Sequence, residues 1–312
     1  MEQIRRHVLS DGEVSVAVLS LGCITQDWQV PMAGKRMPVV LGYRDPAAYL
    51  YNPCYLGAIV GRVANRISGA VFELDGVRYP LDANEPPHHL HGGAYGLHSR
   101  NWTLEADGAR AVQLRLTSAD GEGGYPGRLD LCVTITLEGH RLTYEIEARS
   151  NRPTPVNLAQ HSYYALGDAS VHIPAQVYTP TDDRMIPTAA RDPIAGHSFD
   201  FKTTKPVSLA DPDGAGLDMN FILDGTRIEA RGSGLQMVME TDQPCLQLYT
   251  AQHLVQVAEP LKGQTHKPRS ALCLEPQGYP NAVNTPGFPL SLATPEEPYC
   301  QRLSVSIRED TT

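Results

Sequence analysis

Along most of the chain, apolar and polar residues alternate one for one in short runs that end at turn residues. A period of two places successive side chains on opposite faces of an extended strand. Residues 129–150 are the clearest case. Leu131, Val133, Ile135 and Leu137 fall on one face, polar residues mostly on the other, and Glu138-Gly139 sits at the turn. Such a stretch predicts a half-buried antiparallel pair. Asp75-Gly76 in 71–81, Asp107-Gly108 in 102–118 and Asp224-Gly225 in 220–232 repeat the device. An Asp-Gly pair between alternating runs is a strong local hairpin signal, so each predicts a hairpin.

No window of eleven or more residues carries the i, i+3, i+4, i+7 apolar face of a helix. Strand patterns run from the first fifty residues to 300–310, and no Ser/Gly-rich or charged linker divides them. The expected fold is all-β, a large antiparallel sandwich or barrel in one domain over residues 1–312. Pro-rich loops are expected at 179–193 and 285–298.

Composition narrows the class. The chain has 312 residues, 41% hydrophobic and 20% charged, with a net charge of −9. It is long enough to bury a sizeable core. An acidic chain without a basic run is a poor partner for nucleic acid or an anionic membrane. The first residues show no apolar leader and no stretch approaches eighteen apolar residues, so a cytoplasmic location is expected. Six scattered cysteines without a CxxC pair predict buried, reduced thiols rather than a disulfide framework.

Three alternating segments place a polar group on a face with small neighbours. In 157–166, Asn157, Ala159, His161, Tyr163 and Ala165 share one face, which leaves room beside the His161 ring. In 271–275, Glu275 shares a face with Ala271 and Cys273, while Leu272 and Leu274 point the other way. In 245–250, Gln247 lies with Cys245 and Tyr249, opposite Leu246 and Leu248. Three such strands would make the floor of a ligand cleft. His89 and His91 stand at i, i+2 and raise a metal site, but no HxxxH, HExxH or Cys–His spacing accompanies them. No metal is expected, and ligand binding by a loop histidine fits better. The Gly121–Gly127 run lacks both GxGxxG spacing and a following helix, so no nucleotide or flavin is expected.

Taken together, "GRVANRISGAVFELDGVRYPL" (61–81), "LHGGAYGLHSRNW" (90–102), "DGEGGYPG" (120–127), "TPVNLAQHSYYAL" (154–166), "GLDMNFIL" (216–223) and "CLEPQGYPNAVN" (273–284) resemble the aldose 1-epimerases, or galactose mutarotases, in type and order. The resemblance covers roughly residues 15–307. It implies a large twisted antiparallel β-sandwich with a sugar cleft on its concave face. It also implies cofactor-free interconversion of the α and β anomers of a free monosaccharide, with the protein a monomer or homodimer. On the matching positions, Glu275 would be the general base and His161 the general acid. Asn65, Arg66, His91, Asp218 and Gln247 would bind the sugar. A carboxylate near His161 is expected to keep its imidazole protonated near neutrality.

Four positions depart from the family pattern: Met219 in place of His, Gln160 in place of Asn, Tyr164 in place of Phe, and "YTAQHL" (249–254) in place of YTGN. If these face the ligand, the preferred sugar would shift away from galactose or glucose toward a pentose, deoxysugar or ketose. Three other functions compete. A sugar-phosphate epimerase would need a basic cluster, and among the recognised motifs before residue 78 only Arg62 and Arg66 are basic. A glycosidase would pair two carboxylates, not a carboxylate and a histidine. A non-catalytic sugar-binding module would have no use for an acid and a base held together.

Overall fold

The structure, a computed structural model, describes residues 3–311. Among the described residues, helix is confined to short 3-10 turns and the four-residue segment Val207–Ala210, as the missing helical period requires. All pairings between named strands are antiparallel, and two large sheets dominate. The nine-stranded sheet runs, in spatial order, Thr103–Asp107, Ala111–Ser118, Leu129–Glu138, Arg141–Ser150, Tyr299–Glu309, Leu235–Thr241, Arg227–Gly232, Ser170–His172 and Lys205–Pro206. The six-stranded sheet runs Tyr163–Tyr164, Leu272–Gln277, Cys245–Tyr249, Asp218–Leu223, Ala175–Thr179 and Asp192–Pro193. An N-terminal four-stranded meander joins Arg6–Asp11, Val14–Leu19, Ile24–Met32 and Lys35–Pro38.

One face of each sheet drains into a common core. Val133, Ile135, Tyr144, Val305 and Met239 of the nine-stranded sheet are fully or almost fully buried there. They meet Phe221, Leu246, Leu248, Leu272 and Leu274 of the six-stranded sheet and Val16, Trp28 and Val30 of the meander. The alternation read in 129–150 is present: Leu129–Glu138 pairs with Arg141–Ser150 from Leu129↔Ser150 to Glu138↔Arg141. The Asp75-Gly76 and Asp107-Gly108 hairpins also form.

The Asp224-Gly225 hairpin does not. Asp218–Leu223 belongs to the six-stranded sheet and Arg227–Gly232 to the nine-stranded one, so this turn carries the chain across the sandwich. Its backbone is anchored outside both strands, Leu223 N to Pro244 O (2.9 Å) and Asp224 N to Pro174 O (2.8 Å). Phe221 on one side of the turn and Ile228 and Ala230 on the other all face the shared core. Two inward faces on opposite layers bury more apolar surface than the same strands folded back on each other.

All six cysteines are free, but not all are buried: Cys23, Cys245 and Cys273 are, Cys54 and Cys132 are half-buried, and Cys300 is exposed. Among the described residues, no helix is long and apolar enough to cross a membrane.

Candidate active site

The six-stranded sheet has two unlike faces. Its apolar side chains enter the core, and the alternate positions carry Asp218, Asn220, Gln247, Tyr249, Cys273 and Glu275. Directly opposed residues share a face, and the register sets them side by side: Gln247 against Glu275, Asn220 against Gln247, Asp218 against Tyr249, Tyr249 against Cys273, and Tyr163 against Cys273. The strand that carries Glu275 runs on past it through Pro276 to Gln277. On one side Tyr163–Tyr164 reaches only to Cys273, so Pro276 stands on an open edge where its missing N–H has no ladder partner to lose.

Over this floor lies a cavity enclosing about 660 Å³, its open mouth included, within the range of small-molecule sites. Its wall comes from two short paired segments, Arg66–Ile67 and His89–Leu90. Asn65 (φ 62°), His91 (φ 52°) and Tyr55 (φ 54°), all lining the cavity, adopt the left-handed conformation. That conformation costs a non-glycine residue on the order of 1 kcal/mol and persists where the surroundings enforce it. Here hydrogen bonds enforce it. Asn65 N donates to His91 Nδ1 (3.1 Å), Asn65 Nδ2 to Gln247 Oε1 (3.2 Å), and Gln247 Nε2 to Asp218 Oδ1 (2.5 Å). Wall and floor are thereby tied in one chain of bonds. Because His91 Nδ1 accepts, its neutral ring carries its proton on Nε2. Burial holds the His91 pKa well below that of a free imidazole, with the neighbouring His161 and Arg66 adding to the shift.

His161 Nε2 lies 3.7 Å from Glu275 Oε2, with both side chains almost wholly buried. Tyr163 stacks on the His161 ring at 5.2 Å, and the His91 ring meets it edge-on at 5.4 Å. The room expected beside the imidazole is thus filled on one side by Tyr163. The carboxylate expected near His161 is Glu275 itself, but burial outweighs it and disfavours the imidazolium. Burial pushes His161 down to about 4. Burial, and then the negative charge of Asp218, push Glu275 well above the usual carboxylate range. Burial thus favours the neutral pair, with the proton on the carboxyl group, over the charged one. Asp218 is raised too, chiefly by burial, against the bond from Gln247.

All seven residues singled out from the sequence (Asn65, Arg66, His91, His161, Asp218, Gln247 and Glu275) line this one cavity. Tyr55, Tyr163, Tyr249 and His253 line it as well and were not singled out. Tyr163 and Tyr249 could have been found, since they share strand faces with His161 and Gln247. Tyr55 and His253 sit in loops, where no period marks a facing side chain. His89 turns away from His91: Nδ1 meets Asp82 O at 2.6 Å and Nε2 meets the Tyr125 hydroxyl at 2.8 Å, so both its nitrogens are engaged. His161, Cys273 and Glu275 bring nitrogen, sulfur and oxygen donors within 4.8 Å of one another, the donor types that suit zinc.

Three of the four departures do not face the ligand. Tyr164 is buried in the core and Met219 packs against it. Gln160 is buried and bonds inward to Gly57 O (3.1 Å) and Ser162 Oγ (2.8 Å). Only the 249–254 segment, through Tyr249 and His253, reaches the cavity. The expected displacement of specificity away from hexoses loses most of its basis.

Fold and site together define a large antiparallel β-protein with a polar, acid/base-bearing cleft on one sheet face. The model of the aldose 1-epimerase family matches residues 5–306. Galactose mutarotases from Rattus norvegicus and Homo sapiens are 37% identical to this chain, across 95% of it and 92% of their own length. The aldose 1-epimerase of Escherichia coli K12 is 31% identical, over 84% of each chain. Among solved structures, an aldose epimerase homologue from C. elegans superposes with a TM-score of 0.93 at 25% identity, over 98% of this chain and 99% of that one. The chain belongs to the aldose 1-epimerase family, and is thus a mutarotase-type isomerase.

Proposed function

We propose that this pocket interconverts the α and β anomers of a free, uncharged monosaccharide, with Glu275 as general base and His161 as general acid. The observation that carries the reading is the isolated pair, His161 Nε2 3.7 Å from Glu275 Oε2, beside the polar set Asn65, Arg66, His91, Asp218 and Gln247. In the reacting state the carboxylate of Glu275 takes the proton of the C1 hydroxyl. His161 gives its Nε2 proton to the ring oxygen, and the C1–O5 bond breaks to an open aldehyde. Rotation about C1–C2 presents the other carbonyl face, and the same transfers in reverse close the ring. Each well-placed acid or base contributes roughly 10² to 10⁴ in rate.

The proton count balances under this assignment. Before ring opening the pair is carboxylate and imidazolium; afterwards it is carboxylic acid and neutral imidazole. The second state is the one burial alone favours. Charge is annihilated as the ring opens, in a site where separated charges are costly. A sugar-phosphate substrate fits less well, because Arg66 is the one Arg or Lys side chain lining the cavity. Arg62 is consumed elsewhere, donating to Pro126 O, Gly127 O, Ser118 O and Ala119 O. A cytoplasmic location belongs to the same reading.

Anomer exchange, followed by polarimetry or NMR on freshly dissolved sugars, tests it. The wild-type protein should accelerate exchange, and Glu275→Gln and His161→Asn should each lose about 10² or more of that acceleration while remaining folded. A Glu275→Gln variant as fast as wild type would sink the mechanism.

A further inference from the structure

Among the described residues, Arg66 is the cavity's one permanently cationic side chain, and it does not face the cavity unescorted. Its Nε donates to Glu85 Oε2 at 2.6 Å and its Nη2 to Glu85 Oε1 at 2.8 Å. This fork-to-fork pair occupies two of the three guanidinium nitrogens and leaves Nη1 to offer a ligand. The Arg66 side chain is only 16% exposed and Glu85 40%, so the pair is shielded more than a surface salt bridge.

Glu85 is held where it can do this. Arg66 pairs with Leu90 across the two-stranded ribbon. Leu90 N donates to Asn84 Oδ1 (2.8 Å), and Asn84 Nδ2 donates back to Leu90 O (3.0 Å). Glu85 N donates to His88 O (3.2 Å), and His88 N to Glu85 O (2.7 Å). The loop is thus clasped to the strand opposite Arg66, with Glu85 at the base of the Pro86-Pro87 turn.

The electrostatic result follows by summation. Arg66 contributes one positive charge and Glu85 cancels it. His91 is kept neutral by burial, the His161–Glu275 pair with its one proton carries no net charge, and Asp218 can only add negative charge. We infer that Glu85 is a specificity-determining residue: by neutralising Arg66 it confines the pocket to uncharged sugars and excludes uronic acids and sugar phosphates, while Nη1 keeps a hydrogen bond for a neutral hydroxyl. The inference rests on the proposed sugar site, and it concerns binding, not the acid/base step.

Calorimetric binding of galactose and galacturonate, run beside anomer exchange, separates the two. Wild type should bind galactose in preference to galacturonate. Glu85→Gln should shift that ratio toward galacturonate by about tenfold or more, tenfold being the scale of one charge acting over about 12 Å at an effective dielectric near 20. The shift should shrink in high salt, and Glu85→Asp, which keeps the charge, should retain the wild-type preference. A Glu85→Gln ratio equal to wild type, or a wild-type protein that binds galacturonate as well as galactose, overturns the inference. Absent exchange with a shifted binding ratio would refute the catalytic reading and leave the role of Glu85 standing.

Discussion

Under the proposed mechanism, Glu275 and His161 act as a pair because they are buried together. Each alone is driven toward its neutral form, the acid upward and the imidazole downward, so the pair shares one proton between the two titrations. The proposed mechanism works from that one-proton state. On the acid side it ends when His161 gains a proton, at about 4. On the alkaline side it ends when Glu275, already raised, finally loses its own. The kcat/KM for anomer exchange is therefore expected to show a broad plateau bounded by these two events. Asp218 is one cause of the raised Glu275, so Asp218→Asn should move the alkaline limb to lower pH, besides weakening sugar binding. An unmoved limb would remove Asp218 from the electrostatics of the pair.

At the scale of elements, the pocket is a strand floor met by a glycine-bearing turn. Gly92 follows His91 at φ +87°, and a Cβ there would lie 1.8 Å from Gly61 O. Both the backbone conformation and the lack of space exclude a side chain. Gly92→Ala should destabilise the fold by roughly 2–4 kcal/mol in denaturant melts and raise KM, because His91 precedes it in the same turn. Behind the floor, Leu248 is fully buried in the main core. Leu248→Ala should cost about 2–5 kcal/mol and disturb its strand neighbour Gln247. The strand faces were legible in advance, since alternation alone separated Gln247 and Glu275 from the leucines beside them. Which sheet a strand joins was not. An Asp-Gly turn announces a change of direction, and at Asp224-Gly225 only the facing core decides that the chain crosses to the other layer. Tyr55, His253 and Glu85 were equally silent, because a loop side chain carries no period and its partners are remote in sequence or held by backbone bonds.

For the whole molecule, several histidines are folded in their neutral form. His98 is pushed down to about 4 by burial alone, and its Nδ1 has no hydrogen-bond partner; His161 and His91 are lowered as well. A group whose folded pKa lies below its unfolded value stabilises the fold above the unfolded pKa, and that stability drains away as pH falls toward the folded one. Stability should thus decline from about pH 6.5 to about pH 4, with roughly 3 kcal/mol of the decline belonging to His98. Glu275 works in the opposite sense, its raised pKa weakening the fold as pH rises. Urea melts across this range should show the acid-side slope, and His98→Asn should flatten it. An equal slope in both proteins would mean that His98 does not titrate on unfolding as argued.

The six-stranded sheet, polar in front and apolar behind, has a practical consequence for anyone who would retarget the enzyme. Every residue of the floor is yoked to a core position one step along the strand, so changes there put the scaffold at risk. Glu85 and His253 lie in loops outside the strand floor, whereas Tyr55 packs beside His161, ring centroids 6.0 Å apart. A library confined to Glu85 and His253 would explore new sugars while the His161–Glu275 pair and the core behind it stay as they are.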